Sequence, residues 1–314
     1  MIKSTLSAGL FAQIKTLIQS AYYFYYFDNS NINNEYIIDF SQEYFPYKDS
    51  INTCEFHNIM TLKKNIIIND NLKIYDINYS DSRPFYNFIN YNQTLTININ
   101  DNGFDKLNFF RYLKNDSKKE YLIKLNNIFN NIFDINKNIS LQVEDYYNKY
   151  MKNKFVITIH YRACTTINCE VAGTNYVNYY KNIDIIFNKI DNIIKDKENF
   201  KIYLSTDVKT ILNYFKNKYG DNLLYNINNI YMAETPFSTE PHFGFDLTYE
   251  NINNEEYMKN FHIKKPGLNG GIQLLIDVLL LSKGDLFIPS LSNLSDIVLI
   301  LNPYIEYNYL LENE

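Results

Sequence analysis

From residue 155 onward, short apolar runs alternate with segments of helical periodicity, a pattern that few folds can accommodate. Apolar runs at residues 155–159, 200–204, 229–233 and 285–288 predict buried strands. Helical spacing predicts helices at residues 178–195, 210–219, 271–282 and 294–301. Strands that alternate with helices in this way form a parallel sheet covered on both faces. The second half is therefore predicted to be an α/β lobe.

The first half of the chain lacks this regular alternation of predicted strands and helices. Residues 6–26 have helical spacing, with small and polar residues at 4–9 opening the helix, and residues 36–40 predict a strand. Residues 104–152 predict two or three helices broken near 115–117 and 134–138. A length of 314 residues suits two domains of about 150 residues each. We expect an α/β fold with two Rossmann-like lobes, at residues 1–152 and 153–314, facing each other across a cleft.

Composition excludes several classes of protein. Hydrophobic content of 46% and charged content of 21% are typical of a globular chain. A net charge of −5 argues against a nucleic-acid partner, which demands a basic face. We expect no transmembrane helix, no signal peptide and, with three cysteines, no metal framework and a reducing, cytoplasmic location. Oligomeric state leaves no mark in the sequence.

The segment HYRACTTINCE, residues 160–170, directly follows the first strand of the second half. Ligands of open α/β sheets bind just beyond the carboxyl ends of strands. There Arg162 can bind two phosphate oxygens, although a surface ion pair would also explain it. His160 suits a ligand contact or a packed hydrogen-bonding residue. Glu170 suits a general base or an exposed loop residue.

Three further segments place polar groups at similar points. Ser205, Thr206 and Asp207 follow the second strand and could serve a ligand or cap the next helix. Asp277 lies inside an apolar helix, where an unpaired carboxylate is costly. Its partner could be the N–H donors of a guanine, or an internal Arg, Lys or backbone group. Ser292 precedes the last helix as an anion-binding residue or a plain N-cap.

Four segments, in this order, resemble the GDP-fucose-dependent fucosyltransferases of the α-1,6 and protein O-fucosyltransferase superfamily. They are AGLFAQ at 8–13, VITIHYR at 156–162, the strand–Thr-Asp–helix block at 202–220 and the last block at 277–295. The resemblance implies a GT-B fold with a second lobe that binds the nucleotide sugar and a first lobe on the acceptor side. It implies an inverting, metal-independent transfer, with a GDP-sugar as co-substrate and a glycan as acceptor.

The resemblance also implies donor-binding roles for individual residues. Arg162 would hold the β-phosphate and assist departure of GDP, and His160 and Asp277 would contact the guanine. Ser292 and Asn293 would hold phosphate oxygens.

Three further residues complete the site that the resemblance implies. Asp207 is assigned to the donor site, Gly9 would let the backbone of the first lobe approach the diphosphate, and Glu170 would be the base. The α-1,6 branch has a second Arg and an acidic–basic pair where this chain has Ala163 and the run CTT at 164–166. Two alternatives therefore stay open: a related enzyme that uses GDP-mannose or another nucleotide sugar, and a non-catalytic nucleotide- or carbohydrate-binding relative.

Overall fold

The computed structural model describes residues 2–5, 10–11, 14–15, 18, 36–39, 58–62, 66–68, 88–90, 93–95, 115–161, 183–228, 256, 267–290 and 292–308. The chain divides into two compact units, Met1–Asn136 with Gly267–Gly271 and Lys137–Pro266 with Ile272–Glu314. The boundary predicted near residues 152–154 falls inside the second unit. The acceptor and donor roles of the two halves stay predictions.

The first unit combines short strands with one long helix. Its elements are β1 (Ile2–Thr5), β2 (Tyr36–Asp39), β3 (Met60–Leu62), β4 (Ile66–Ile68), β5 (Phe88–Asn90), β6 (Gln93–Leu95), helix α1 (Asn115–Ile132) and β7 (Phe133–Ile135). Strands β1, β2 and β4 form a parallel sheet in that order, while β3 pairs antiparallel with β7 and β5 with β6.

Predictions for the first unit are confirmed in part. Strand β2 matches the predicted strand at 36–40, and Leu10 and Ile18, both buried, are helical within the predicted helix at 6–26. Ser4 and Thr5 were expected to open that helix, which is wrong, because they belong to strand β1. The predicted break at 134–138 is confirmed by β7, whereas residues 115–117 begin a helix.

The second unit alternates helices and strands from residue 137 onward. Its elements are α2 (Lys137–Tyr146), a π-helix (Tyr147–Met151), β8 (Phe155–Tyr161), α3 (Ile183–Ile194), β9 (Phe200–Thr206), α4 (Lys209–Tyr219), a 3-10 helix (Gly220–Asn222), β10 (Leu223–Leu224), α5 (Gly267–Leu281, whose first turn belongs to the first unit), β11 (Leu286–Ile288), α6 (Asn293–Leu301) and β12 (Glu306–Tyr307). The three predicted strands that fall on described residues, and all four predicted helices, are confirmed. The predicted strand at 229–233 lies outside the described residues.

Among the described residues, five parallel strands form the sheet of this unit in the order β10-β9-β8-β11-β12. The chain runs from β8 outward to β9 and β10, and later returns to place β11 and β12 on the other side of β8. The order therefore reverses between β8 and β11. Such a reversal opens a crevice at the carboxyl ends of the two strands, where ligands of open α/β sheets bind.

The two faces of this sheet differ in chemistry. Side chains alternate between faces along a strand, and one set forms a buried hydrocarbon core with α3 and α4. This apolar face consists of Ile157, Ile159, Tyr161, Ile202 and Leu204. The other set, the polar face, consists of Thr158, His160, Tyr203 and Ser205, all buried. It lies under α5 and α6, which supply its hydrogen-bond partners.

The turn from α5 to β11 fixes the register of β11 against β8. The Thr158 hydroxyl donates to the Leu281 carbonyl at the end of α5, at 2.8 Å. A Cβ on Gly284 would lie 2.6 Å from Thr158 Cγ2, so the turn passes this side chain too closely for any other residue. Asp285 then makes two hydrogen bonds with Val156. Its backbone N–H donates to the Val156 carbonyl at 2.9 Å, and its Oδ2 accepts from the Val156 N–H at 2.7 Å.

Within the described ranges, no helix combines the length and the apolar character needed to cross a membrane.

Candidate functional site

Polar side chains gather at the carboxyl edge of the parallel sheet, next to the point where the strand order reverses. His160 is the penultimate residue of β8, Ser205 is the penultimate residue of β9, and Ser290 and Ser292 follow β11. All four are buried, with His160 7% exposed. A buried cluster of this kind must be held by specific hydrogen bonds, since an unpaired polar group away from water is costly.

His160 is held by the segment between β11 and α6. Ser290 donates to the His160 carbonyl twice, from its backbone N–H at 3.0 Å and from its hydroxyl at 2.6 Å. The imidazole Nδ1 lies 2.8 Å from the Ser295 Oγ and 3.2 Å from the Ser292 Oγ. Ser290 therefore fixes the backbone of His160, while Ser292 and Ser295 contact its ring.

Ser292 is the N-cap of α6. Its Oγ accepts from the Ser295 N–H at 3.2 Å, and its carbonyl accepts from the Asp296 N–H at 3.1 Å. The N-cap interpretation is confirmed. Asn293, the first residue of the helix, is exposed. The start of a helix favours anions through its N–H groups and its dipole, so the predicted phosphate role of Ser292 and Asn293 suits this position and stays a prediction.

Asp277 is buried, with 1% of its surface exposed, yet both of its oxygens have partners. The Tyr203 hydroxyl donates to Oδ1 at 2.8 Å, and the Ser205 hydroxyl donates to Oδ2 at 2.9 Å. The expected internal partner was an Arg, a Lys or a backbone group, whereas these contacts come from two hydroxyls on β9. Burial of Asp277 is thus explained without a ligand, and its contact with guanine stays a prediction.

Two tyrosines beside Asp277 have perturbed acidities. Burial raises the pKa of Tyr203 well above its usual value of 10.0, and the negative charge of Asp277 raises it further. Burial and, next, the Asp277 charge also raise the pKa of Tyr146. The Tyr146 ring meets the Tyr203 ring edge-on at 5.9 Å, and its hydroxyl donates to the Tyr225 carbonyl at 3.2 Å. Because its pKa is raised, Tyr203 remains protonated, as a donor to a carboxylate must.

Ser205 and Thr206 were expected to follow the second strand, but they are the last two residues of β9, and they do not act as a simple helix cap. Ser205, one of the residues expected to cap the next helix, donates to Asp277 instead. Thr206 Oγ1 accepts from the Val208 N–H at 3.3 Å, and Val208 is the N-cap residue of α4, with no side-chain acceptor. Asp207 lies between them, partly exposed at the carboxyl edge. Its assignment to the donor site stays a prediction.

Several predicted site residues lie outside the described residues. These are Gly9, Arg162 and Glu170, together with the three cysteines Cys54, Cys164 and Cys169. In the part of the chain that the structure describes, no group of three or more His, Cys, Asp and Glu side chains is arranged to hold a metal ion. Metal independence stays a prediction.

Sequence reasoning missed two residues of the cluster, Tyr203 and Ser295, as partners of the predicted site residues. The signal for Tyr203 was present in the strands themselves. Thr158 and His160 on β8, like Tyr203 and Ser205 on β9, are polar residues two apart within apolar runs. Because such residues share one face of a strand, this spacing indicates a polar sheet face.

No protein-family model and no curated protein matches the chain. Its structure is similar to crystal structures of the fucosyltransferase NodZ. One, NodZ alpha-1,6-fucosyltransferase soaked with GDP-fucose, has a TM-score of 0.53 at 13% identity, covering 96% of this chain and 92% of the other. Fucosyltransferase NodZ from Bradyrhizobium gives 0.52 at 14% identity, covering 96% and 93%.

A third structure, NodZ alpha-1,6-fucosyltransferase co-crystallized with GDP, has a TM-score of 0.52 at 13% identity and covers 96% of this chain and 92% of the other. At this level of identity the likeness defines the fold. It extends over nearly the whole of both chains and agrees with the α/β class and the parallel sheet described above. The expected resemblance is confirmed at the level of architecture: the chain has a fucosyltransferase-like α/β fold.

Proposed function

We propose that the protein is a glycosyltransferase that moves a sugar, with fucose the first candidate, from a GDP donor to a hydroxyl group of a glycan. The observation that carries this proposal is the likeness in fold to NodZ over 96% of the chain. Two of those NodZ structures were obtained with GDP-fucose or GDP. The proposal extends their ligand class to this chain.

The position of the polar cluster supports a nucleotide donor. His160 and the N-terminus of α6 lie at the carboxyl edge, beside the reversal of strand order between β8 and β11. A diphosphate placed there would meet the N–H groups at the start of α6, which favour an anion. Arg162, two residues beyond His160 in the sequence, would add a guanidinium for the same group.

The proposed reaction is a single displacement. Glu170 takes the proton of the acceptor hydroxyl as the acceptor oxygen bonds to the anomeric carbon and the bond from that carbon to the β-phosphate oxygen breaks. GDP leaves with the bonding electrons, and Arg162 and the start of α6 stabilise its charge. One displacement inverts the anomeric centre. Because protein donors neutralise the diphosphate, the proposed reaction needs no divalent ion.

Calorimetric titration tests the donor class. The purified protein is titrated with GDP, GDP-fucose, GDP-mannose, UDP and ADP, with EDTA present throughout. We expect binding of the GDP compounds alone, and the GDP-sugar that binds with the higher affinity identifies the donor. Preference for UDP or ADP, or no binding of any nucleotide, would contradict the proposal. Loss of binding in EDTA that Mg²⁺ restores would contradict the metal-independent mechanism.

Two substitutions test the assigned roles. Arg162→Ala should abolish transfer because the departing diphosphate loses its guanidinium. Glu170→Gln should lower the rate while leaving donor affinity unchanged, because the base acts on the acceptor. If Glu170→Gln transfers sugar at the normal rate, the base lies elsewhere, with Asp246 and Glu240 as the next residues to substitute.

A non-catalytic binding role is the second candidate, favoured by Ala163 and the run CTT at 164–166, which differ from the α-1,6 branch. Incubation with GDP-fucose in the absence of acceptor separates the two candidates. An enzyme should release GDP slowly by hydrolysis of the donor, and Arg162→Ala should stop that release. A binding module should return the donor intact.

A further inference from the structure

Ser295 lies in the first turn of α6 and is 1% exposed. Its backbone N–H donates to the Ser292 Oγ as part of the helix cap, at 3.2 Å. Its own hydroxyl oxygen is 2.8 Å from His160 Nδ1, a shorter distance than the 3.2 Å from Ser292 to the same nitrogen. Ser292 therefore contacts both the helix cap and the ring, and Ser295 makes the closer contact with the imidazole.

The contact with Ser295 constrains the ring beyond what the backbone does. Ser290 fixes the carbonyl of His160, which leaves the two side-chain torsions to be set by contacts of the ring. A hydroxyl can donate to an unprotonated ring nitrogen or accept from a protonated one. In either case a hydrogen bond at Nδ1 holds the ring in one orientation, which determines the direction in which Nε2 points.

We propose that Ser295 is a positioning residue that orients the His160 imidazole through Nδ1, so that the ring contacts the nucleotide of the donor through Nε2. The inference rests on the proposed function, because a GDP donor is the ligand in question. Ser295 does not touch the donor in this scheme, consistent with its burial in the first turn of α6. Its hydroxyl acts only through the ring.

Nitrogen-15 NMR of the histidine side chains tests this role directly. The chain has four histidines, so the ring spectrum is simple, and His160→Gln assigns the His160 signals. Ser295→Ala should change the His160 ring nitrogen shifts in the ligand-free protein, because Nδ1 loses its shorter hydroxyl contact. The same variant should weaken GDP binding about three- to tenfold, as expected for loss of one hydrogen bond. Ser295→Thr, which keeps the hydroxyl, should restore both.

Ser282→Ala is the matched control. It also removes a serine hydroxyl from a helix end, one that donates to the Leu279 carbonyl on α5 at 2.8 Å. Its His160 signals and GDP affinity should match those of the wild type. If Ser295→Ala does not fold, Ser295→Cys keeps the volume of the side chain, weakens the hydrogen bond and should shift the same signals.

Unchanged His160 signals in Ser295→Ala or Ser295→Cys would overturn the inference. Altered signals with unchanged GDP affinity would overturn the link from the ring to the donor. If the wild type does not bind GDP but its His160 signals still depend on Ser295, the proposed function fails, whereas Ser295 remains the residue that orients the ring.

Discussion

The two faces of the parallel sheet in the second unit come from the same strands but make different kinds of contact. On the apolar face, side chains such as Ile159 and Leu204 join a core with α3 and α4. On the polar face, His160, Tyr203 and Ser205 each contact a named atom of α5 or α6. Hydrocarbon contacts are non-directional, whereas hydrogen bonds demand both distance and angle. One face therefore stabilises the sheet through apolar burial, and the other places chemical groups accurately.

A truncation on the apolar face should have the largest effect on stability. Ile202 is fully buried, and Ile202→Ala should lower the free energy of unfolding by about 2–5 kcal/mol through lost burial and a cavity. Urea unfolding measures the change, with Ile202→Val as the milder control at about 0.5–1.5 kcal/mol. GDP affinity of the folded protein should stay the same. A change in affinity without a change in stability would break the distinction between the faces.

Loss of one hydroxyl on the polar face should lower the free energy of unfolding by less than the Ile202→Ala truncation does. Tyr203→Phe removes the hydrogen bond to Asp277 Oδ1 and should lower the free energy of unfolding by about 1.5–3 kcal/mol, the range for a bond to a charged group. Ser205→Ala, which removes the bond to Oδ2, is the companion variant. If neither variant is less stable than the wild type, the two hydroxyls do not stabilise the buried carboxylate.

The Tyr203 variant should also change the pH dependence of stability. The folded state raises the pKa of Tyr203 above 10.0, so the unfolded chain loses this proton first as pH rises. The neutral phenol makes its full contribution to the free energy of unfolding below pH 10.0. Above that pH the contribution declines, by at most about 1.4 kcal/mol per pH unit. The stability gap between wild type and Tyr203→Phe should therefore narrow between about pH 10 and 11. A constant gap would contradict the raised pKa.

Gly284→Ala tests how tightly α5 is docked over the polar face. The new Cβ would lie 2.6 Å from Thr158 Cγ2 and 2.7 Å from its Oγ1, and overpacking of this kind costs about 1–3 kcal/mol. Thr158→Ser removes Cγ2 and keeps the hydroxyl. In the double variant, part of the lost stability should return. Equal stability of Gly284→Ala and wild type would show that the turn has room to move.

The smallest effect is expected at the surface. The Lys283 ammonium lies 2.7 Å from Glu144 Oε1 and 5.0 Å from the centre of the Tyr147 ring, but both charged side chains are partly exposed. Lys283→Met should change the free energy of unfolding by less than about 1 kcal/mol. A larger loss in low salt that disappears in high salt would show that this ion pair, which joins α2 to the turn after α5, contributes more to stability than a surface pair should.

The architecture of the second unit was predictable because its strands are apolar and its helices periodic over many residues. Strands β10 and β12 have two residues each, too few to form a pattern, and β1 is followed directly by helical spacing. His160 and Asp277 stood out by residue type alone. Their partners did not, because Ser295 is 135 residues from His160 in the sequence and Tyr203 is 74 residues from Asp277. Such pairs are created by strand order and register.

A crystal structure of the protein soaked with GDP would show directly whether the polar carboxyl edge binds the donor. The diphosphate should lie beyond the ends of β8 and β11, near the start of α6, with the nucleotide within hydrogen-bond distance of His160 Nε2. GDP bound at the amino ends of the strands, or against α3 and α4 on the apolar side, would contradict the proposed site.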